Sequence, residues 1–150
     1  MQHSQLDILT DLARDARDQA GKLLAEERQS QHQTQAQLDS LSRYRAEYAE
    51  RLQTAMRDGI DPATMFNYQQ FLASLDAALS RARQALTAQQ KRVQQSQQHW
   101  QQEQRKLSSY DTLASRRSLE EHRRQERADQ KANDEFVTSQ TARRSPDGSQ

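Results

Sequence analysis

The chain has no cysteine, and in 150 residues it has only two prolines and three glycines; aromatic residues make up 5%. Each shortage excludes something. Without cysteine there is neither a disulfide framework nor a thiolate metal site. So little Pro and Gly argues against a turn-rich fold and against the usual composition of disorder. Hydrophobic residues make up 33% of the chain, well below the nearly half that an ordinary globular domain uses. No apolar run approaches the ~20 residues that cross a bilayer. No signal peptide is visible, because Met1-Gln2-His3-Ser4-Gln5 runs directly into an amphipathic pattern. A soluble cytoplasmic protein is expected. The 22 Lys and Arg almost balance the 21 Asp and Glu, for a net charge of +1, which gives no electrostatic ground for nucleic-acid binding. Long helices that bury only a narrow seam fit all of these shortages.

What is present supports that reading. In steps of seven from residue 65 stand Met65, Leu72, Leu79, Leu86, Val93, Trp100 and Leu107, all apolar in a polar region. A strict heptad keeps one stripe facing a partner helix in a left-handed coiled coil. The companion positions are Tyr68, Leu75, Ala82, Gln89, Ser96, Glu103 and Tyr110, apolar at first, then polar. Because Val93 and Trp100 keep the phase through QQSQQHWQQEQ, that glutamine-rich run reads as helix surface. The first half follows the same logic, with Leu24, Leu38 and Leu52 at one seam position. Leu6, Ala13, Ala20, Leu41, Tyr48 and Ala55 occupy the other. Arg17, Gln31, Arg45, Glu27 and Thr34 interrupt them, so the seam is wet in its middle.

Arg57-Asp58-Gly59-Ile60-Asp61-Pro62 separates the two patterns. Gly59 suits a left-handed helix end, Asp61 suits a helix cap, and Pro62 suits the first helical position. A stop followed at once by a start makes the two helices antiparallel neighbours. The expected fold is all-α, a long two-helix antiparallel coiled-coil hairpin forming one domain over residues 1–136. Its helices cover about 5–57 and 63–135, its turn 58–62, and residues 137–150 form a disordered tail. With the apex near residue 60, Leu41 faces Leu79, Leu38 faces Ala82, Gln31 faces Gln89, and Ala13 faces Leu107. Trp100 meets Ala20 beside Gly21, and Arg17 meets Glu103. Beyond Ala114 the sequence RRSLEEHRRQERADQKANDEF has many charges and almost no seam. A solvated helix awaiting a partner and a frayed end both fit.

Catalytic chemistry finds little support. His3, His32, His99 and His122 stand far apart without metal-ligand spacing, and no phosphate-binding glycine loop exists. Glu120-Glu121-His122 reads as a solvated face, and no cofactor is expected. Arg116-Arg117 and Arg123-Arg124 are interleaved with Glu120, Glu121 and Glu126, without aromatics for base stacking. Near the turn, Gln37, Leu41, Tyr44 and Tyr48 repeat at spacings of four, three and four, as do Phe71, Leu75, Ala78 and Ala82. This stripe is either a broadened core or an apolar strip that docks on another protein.

These residues carry a resemblance. NYQQFL after the Gly-Ile turn, YRAEY in the first helix, Trp100 followed by QRKL, and ADQKANDEF before an Arg-containing tail resemble the FliJ family of the flagellar type III export apparatus. The similarity runs from about residue 6 to residue 144. It implies a non-enzymatic helical hairpin, similar to the coiled coil of the rotary ATP synthase gamma subunit. The implied partners are the hexameric flagellar export ATPase, the membrane-embedded export gate and substrate-specific export chaperones. The end bearing both termini would enter the ATPase ring through Leu9, Leu12, Arg116, Arg117, Arg123, Arg127, Lys131 and Phe136. The gate-binding stripe maps onto Gln37, Leu41, Tyr44, Tyr48, Phe71, Leu75 and Ala78. At Ala82 some relatives carry histidine. The resemblance also implies a monomer when free, without membrane insertion or nucleic-acid binding, peripheral to the inner-membrane export apparatus at the flagellar base. A virulence-type secretion stalk and a generic coiled-coil spacer or dimer are the rival readings.

Overall fold

A computed structural model of the chain describes residues 4–143. Its elements are two helices, α1 (Gln5–Asp58) and α2 (Pro62–Arg143). The architecture is all-α, with the two helices packed antiparallel. Helix α1 starts at a reciprocal cap. The Asp7 amide donates to Ser4 Oγ and the Ser4 amide donates to Asp7 Oδ2, both at 3.2 Å, which satisfies donors that a helix start leaves free. Gly59, at φ 95°, follows the last residue of α1, a conformation that costs a residue without Cβ nothing. Asp61 then caps α2. Its carboxylate accepts from the Thr64 amide at 3.4 Å and from the Thr64 hydroxyl, with Pro62 first in the helix.

Helix α2 runs to Arg143, so residues 137–143, expected as tail, are helical. Nothing in Val137–Arg143 breaks a helix, and the next proline is Pro146. The Thr138 and Thr141 hydroxyls bond back to the carbonyls of Asp134 and Val137, at 2.8 and 2.9 Å, which satisfies these side chains within the helix. The remainder of the expected tail, 144–150, lies outside the described residues.

Packing divides the chain into two compact units. Arg14–Gln104 forms one and the flanking segments, 4–13 with 105–143 among the described residues, form the other.

In the Arg14–Gln104 unit the seam lies where the heptads place it. From Arg17 to Ala55 on α1, and from Met65 to Glu103 on α2, every seam position is buried or half-buried. Almost every other position is exposed. Along α1, Arg17, Glu27, Arg45 and Tyr48 meet Gln104, Arg92, Asp76 and Phe71, so the partner descends α2 as α1 ascends. That is an antiparallel register without slip. Ala20, Leu24, Leu75 and Leu79 form its apolar core. Arg17 differs from expectation. Its Nε donates to the adjacent Asp18 at 2.9 Å and its Nη1 to Gln104 Oε1 at 3.4 Å, where Glu103 was expected. A long guanidinium on a seam edge can reach the outer neighbour and keep water contact. The wet middle is present: Ser96 is buried, and Gln89 Oε1 is buried without a hydrogen-bond partner.

In the flanking-segment unit Ala13 and Leu107 are buried, and Leu6, Tyr110 and Ala114 are half-buried. Past Ala114 every described residue is exposed. A helix without apolar seam positions has nothing to bury.

Candidate protein-docking surfaces

No described helix is long and apolar enough to cross a membrane. Among the described residues no group of three or more His, Cys, Asp or Glu is placed to hold a metal. The crevice between the helices in the flanking-segment unit, lined by Ser4, Leu6, Asp7, Ala114, Arg117, Ser118 and Glu121, holds about 240 Å³. It has charged walls but no histidine or cysteine and no oriented nucleophile–base pair. The chemistry on offer is that of surfaces.

In the Arg14–Gln104 unit the stripe beside the turn is an aromatic cluster. Tyr48 and Phe71 pack across the helices with ring centroids 4.3 Å apart. Tyr44 meets Phe71 edge-on at 5.9 Å and Tyr48 at 5.3 Å, while Tyr48 also contacts Tyr68 at 6.0 Å. These are favourable tilted and edge-to-face geometries. The Arg51 guanidinium lies 5.4 Å from the Tyr48 ring centre, within cation–π range. The stripe is graded in exposure. Gln37 and Tyr44 are exposed, Tyr44 by 44%. Leu41, Tyr48, Phe71 and Ala78 are half-buried. Leu75 is only 7% exposed. As a seam residue, Leu75 belongs to the core and supports the strip without lining it. One side of the stripe is thus core, and the other is open to solvent.

The same region carries an exchange of charge. Arg45 Nε donates to Asp76 Oδ1 at 2.7 Å. That hydrogen bond, aided by the Arg45 and Arg83 charges, holds the Asp76 carboxyl below the ordinary carboxylate value and raises Arg45. Met56 and Phe66, half or more exposed on either side of the turn, went unremarked in the sequence reading. Their signal was available, since neither falls on a seam position.

In the flanking-segment unit Leu9, Leu12 and Phe136 are exposed, Leu12 and Phe136 by 60% each. Arg116, Arg117, Arg123, Arg127 and Lys131 are exposed too. Ile8 joins Leu9 and Leu12 on the same outward side of α1, an addition that the sequence reading passed over.

Residues 1–146 match the family described as Flagellar FliJ protein. The chain belongs to the FliJ family. Two family members, each called Flagellar FliJ protein, match along nearly their whole length. The one from Salmonella typhi is 35% identical over 146 residues, covering 97% of this chain and 99% of that protein. The one from Escherichia coli K12 is 34% identical over the same span and with the same coverage. Among solved structures, a protein described as a YscO homologue, CT670 from Chlamydia trachomatis, aligns with a TM-score of 0.49 at 14% identity. That alignment covers 96% of this chain and 99% of CT670. Membership of the FliJ family makes this a flagellar protein, and its fold is the helical pair described above.

Proposed function

We propose that this FliJ-family chain is a non-catalytic stalk of the flagellar type III export apparatus. The flanking-segment unit enters the ring of the hexameric export ATPase and promotes its assembly and activity. The stripe around Tyr44 and Phe71 engages the export gate, and the chain escorts export chaperones. It works on the cytoplasmic side, at the base of the flagellum, as a monomer when free.

Family membership over residues 1–146 is the observation that carries this reading. Two features of the fold support its division of labour. The apolar and basic side chains assigned to the ring, Leu9, Leu12, Arg116, Arg117, Arg123, Arg127, Lys131 and Phe136, are all exposed. The gate stripe offers an exposed ring, Tyr44, held by half-buried neighbours, and a rigid aromatic anchored from below makes a good docking residue.

Capture of the purified export ATPase by the tagged full chain tests the stalk, and a chain that captures none is not one. Removal of the residues after Ala114 should abolish ATPase stimulation while sparing gate binding. Tyr44→Ala with Phe71→Ala should leave helicity nearly intact while export falls. Normal export by that variant removes the gate stripe from the proposal.

A further inference from the structure

We infer that the polar middle of the seam in the Arg14–Gln104 unit is a joint, a layer at which α1 and α2 part from one another while the packed segments on either side stay closed.

Along α1 the seam residues after Leu24 are Glu27, Gln31 and Thr34, and the next apolar one is Leu38. From Leu24 to Leu38 the helix rises about 21 Å at 1.5 Å per residue, and no apolar seam side chain stands between them. The antiparallel register sets Glu27 against Val93, Gln31 against Gln89 and Thr34 against Leu86. The two apolar residues that α2 offers therefore meet polar side chains. No residue of 25–38 or of 80–95 is buried. The segments on either side are packed. Towards one end Ala20, Leu24 and Ser96 are buried, and Trp100 lies against Gly21. Towards the turn Leu75 and Leu79 are buried, and the Tyr48 and Phe71 ring centres stand 4.3 Å apart.

A polar layer locks a seam when every group in it is satisfied. This one is not satisfied. Gln89 Oε1 is buried without a hydrogen-bond partner, and an acceptor so placed regains water when the helices part. Arg92 reaches Glu27 across the layer at 3.5 Å, but its side chain is 54% exposed, and such an ion pair adds little closure. The weakness lies between the helices. Neither 25–37 nor 80–95 contains glycine or proline, and both are rich in Gln and Ala, which hold a helix well. The joint lets the aromatic strip beside the turn swing against the Trp100 segment without disturbing the packing of either.

Native-state amide hydrogen exchange on the full chain tests the joint. An amide inside a helix exchanges through brief local unwinding, which is cheaper where no packed seam breaks with it. Relative to their intrinsic rates, amides of 28–35 and 86–93 should exchange on the order of tenfold faster than those of 20–24 and 72–79. Gln31→Leu with Gln89→Leu should bring the layer to the rate of the packed segments. A second variant avoids any association that added leucines cause: Gln31→Cys with Gln89→Cys, in a chain with no other cysteine. Its oxidation should slow the layer on the order of tenfold, and reduction should restore the fast exchange. Wild-type exchange in the layer no faster than in the packed segments overturns the joint. So does a layer whose rate neither the leucines nor the disulfide changes.

Discussion

The indole of Trp100 lies against the backbone of Gly21, so close that a Cβ built there would stand 3.3 Å from Nε1 and 3.4 Å from Cδ1. The largest side chain of the seam has its room because the facing helix position has none. Gly21 lies inside α1, where glycine costs about 1 kcal/mol of helix stability against alanine. Gly21→Ala recovers that amount and asks the ring to yield only a few tenths of an ångström, so its urea midpoint should stay near wild type. Gly21→Leu should displace the indole and lower stability by about 1–3 kcal/mol, visible in the same titration. A Leu variant as stable as wild type would mean that Trp100 does not depend on this gap.

Seam and overhang should respond differently to the same truncation. Leu79 is 4% exposed and Leu119 is 49% exposed. Leu79→Ala should cost about 2–4 kcal/mol, and Leu119→Ala less than about 0.5 kcal/mol. Equal losses in thermal unfolding would show that the overhang is held by packing as the seam is.

The Tyr44–Phe71 pair, with its edge-on contact at 5.9 Å, should show a coupling of about 0.5–1.5 kcal/mol in a double-mutant cycle through alanine. A coupling near zero would mean that Tyr44 is a free docking side chain with no share in the fold. Either way, stability measured on the same variants separates lost fold from lost export.

Acid should weaken the protein through two carboxyls. The Thr64 hydroxyl bond lowers Asp61, and the Arg45 bond lowers Asp76, each from an ordinary value of 3.8. A carboxyl depressed in the folded state contributes stability that is complete above its unfolded pKa and lost as pH falls through its folded one. The loss should therefore set in below about pH 4, where the unfolded chain begins to take up protons. Asp61→Asn with Asp76→Asn should flatten the urea midpoint between pH 4 and pH 3, and asparagine still caps α2. An unchanged acid slope would place the sensitivity elsewhere.

Gln89 Oε1 is buried in the seam without a partner, and such an acceptor costs about 1–3 kcal/mol of desolvation. Gln31→Leu with Gln89→Leu should raise the thermal midpoint. The enlarged apolar seam should also increase self-association, which sedimentation would read as a rise in mass over wild type. A fall in midpoint would show that the amides stabilise this layer.

The helices, their seam and the turn were legible from spacing alone. A strict period of seven from Met65 to Leu107, two breakers at Gly59 and Pro62, and a capping Asp61 follow from backbone geometry, which acts locally. The FliJ-family resemblance was legible as well, carried by NYQQFL and YRAEY at the right distance from the turn. The extent of α2 was not, because the polar run after Phe136 looks like tail until its threonine hydroxyls are seen satisfied within the helix.

The sequence by itself determined which residues face the seam and where the chain turns, because helix periodicity depends only on residues near in the chain. Only the tertiary structure decided how deeply each seam residue is buried, since that depends on the facing side chain. Leu75 becomes core while its neighbour Phe71 stays half-exposed beside Tyr48. Arg17 finds Gln104, and Arg45 turns from the seam to Asp76. Past Ala114 every described residue of α2 is exposed, because it carries no apolar seam for a facing helix to cover.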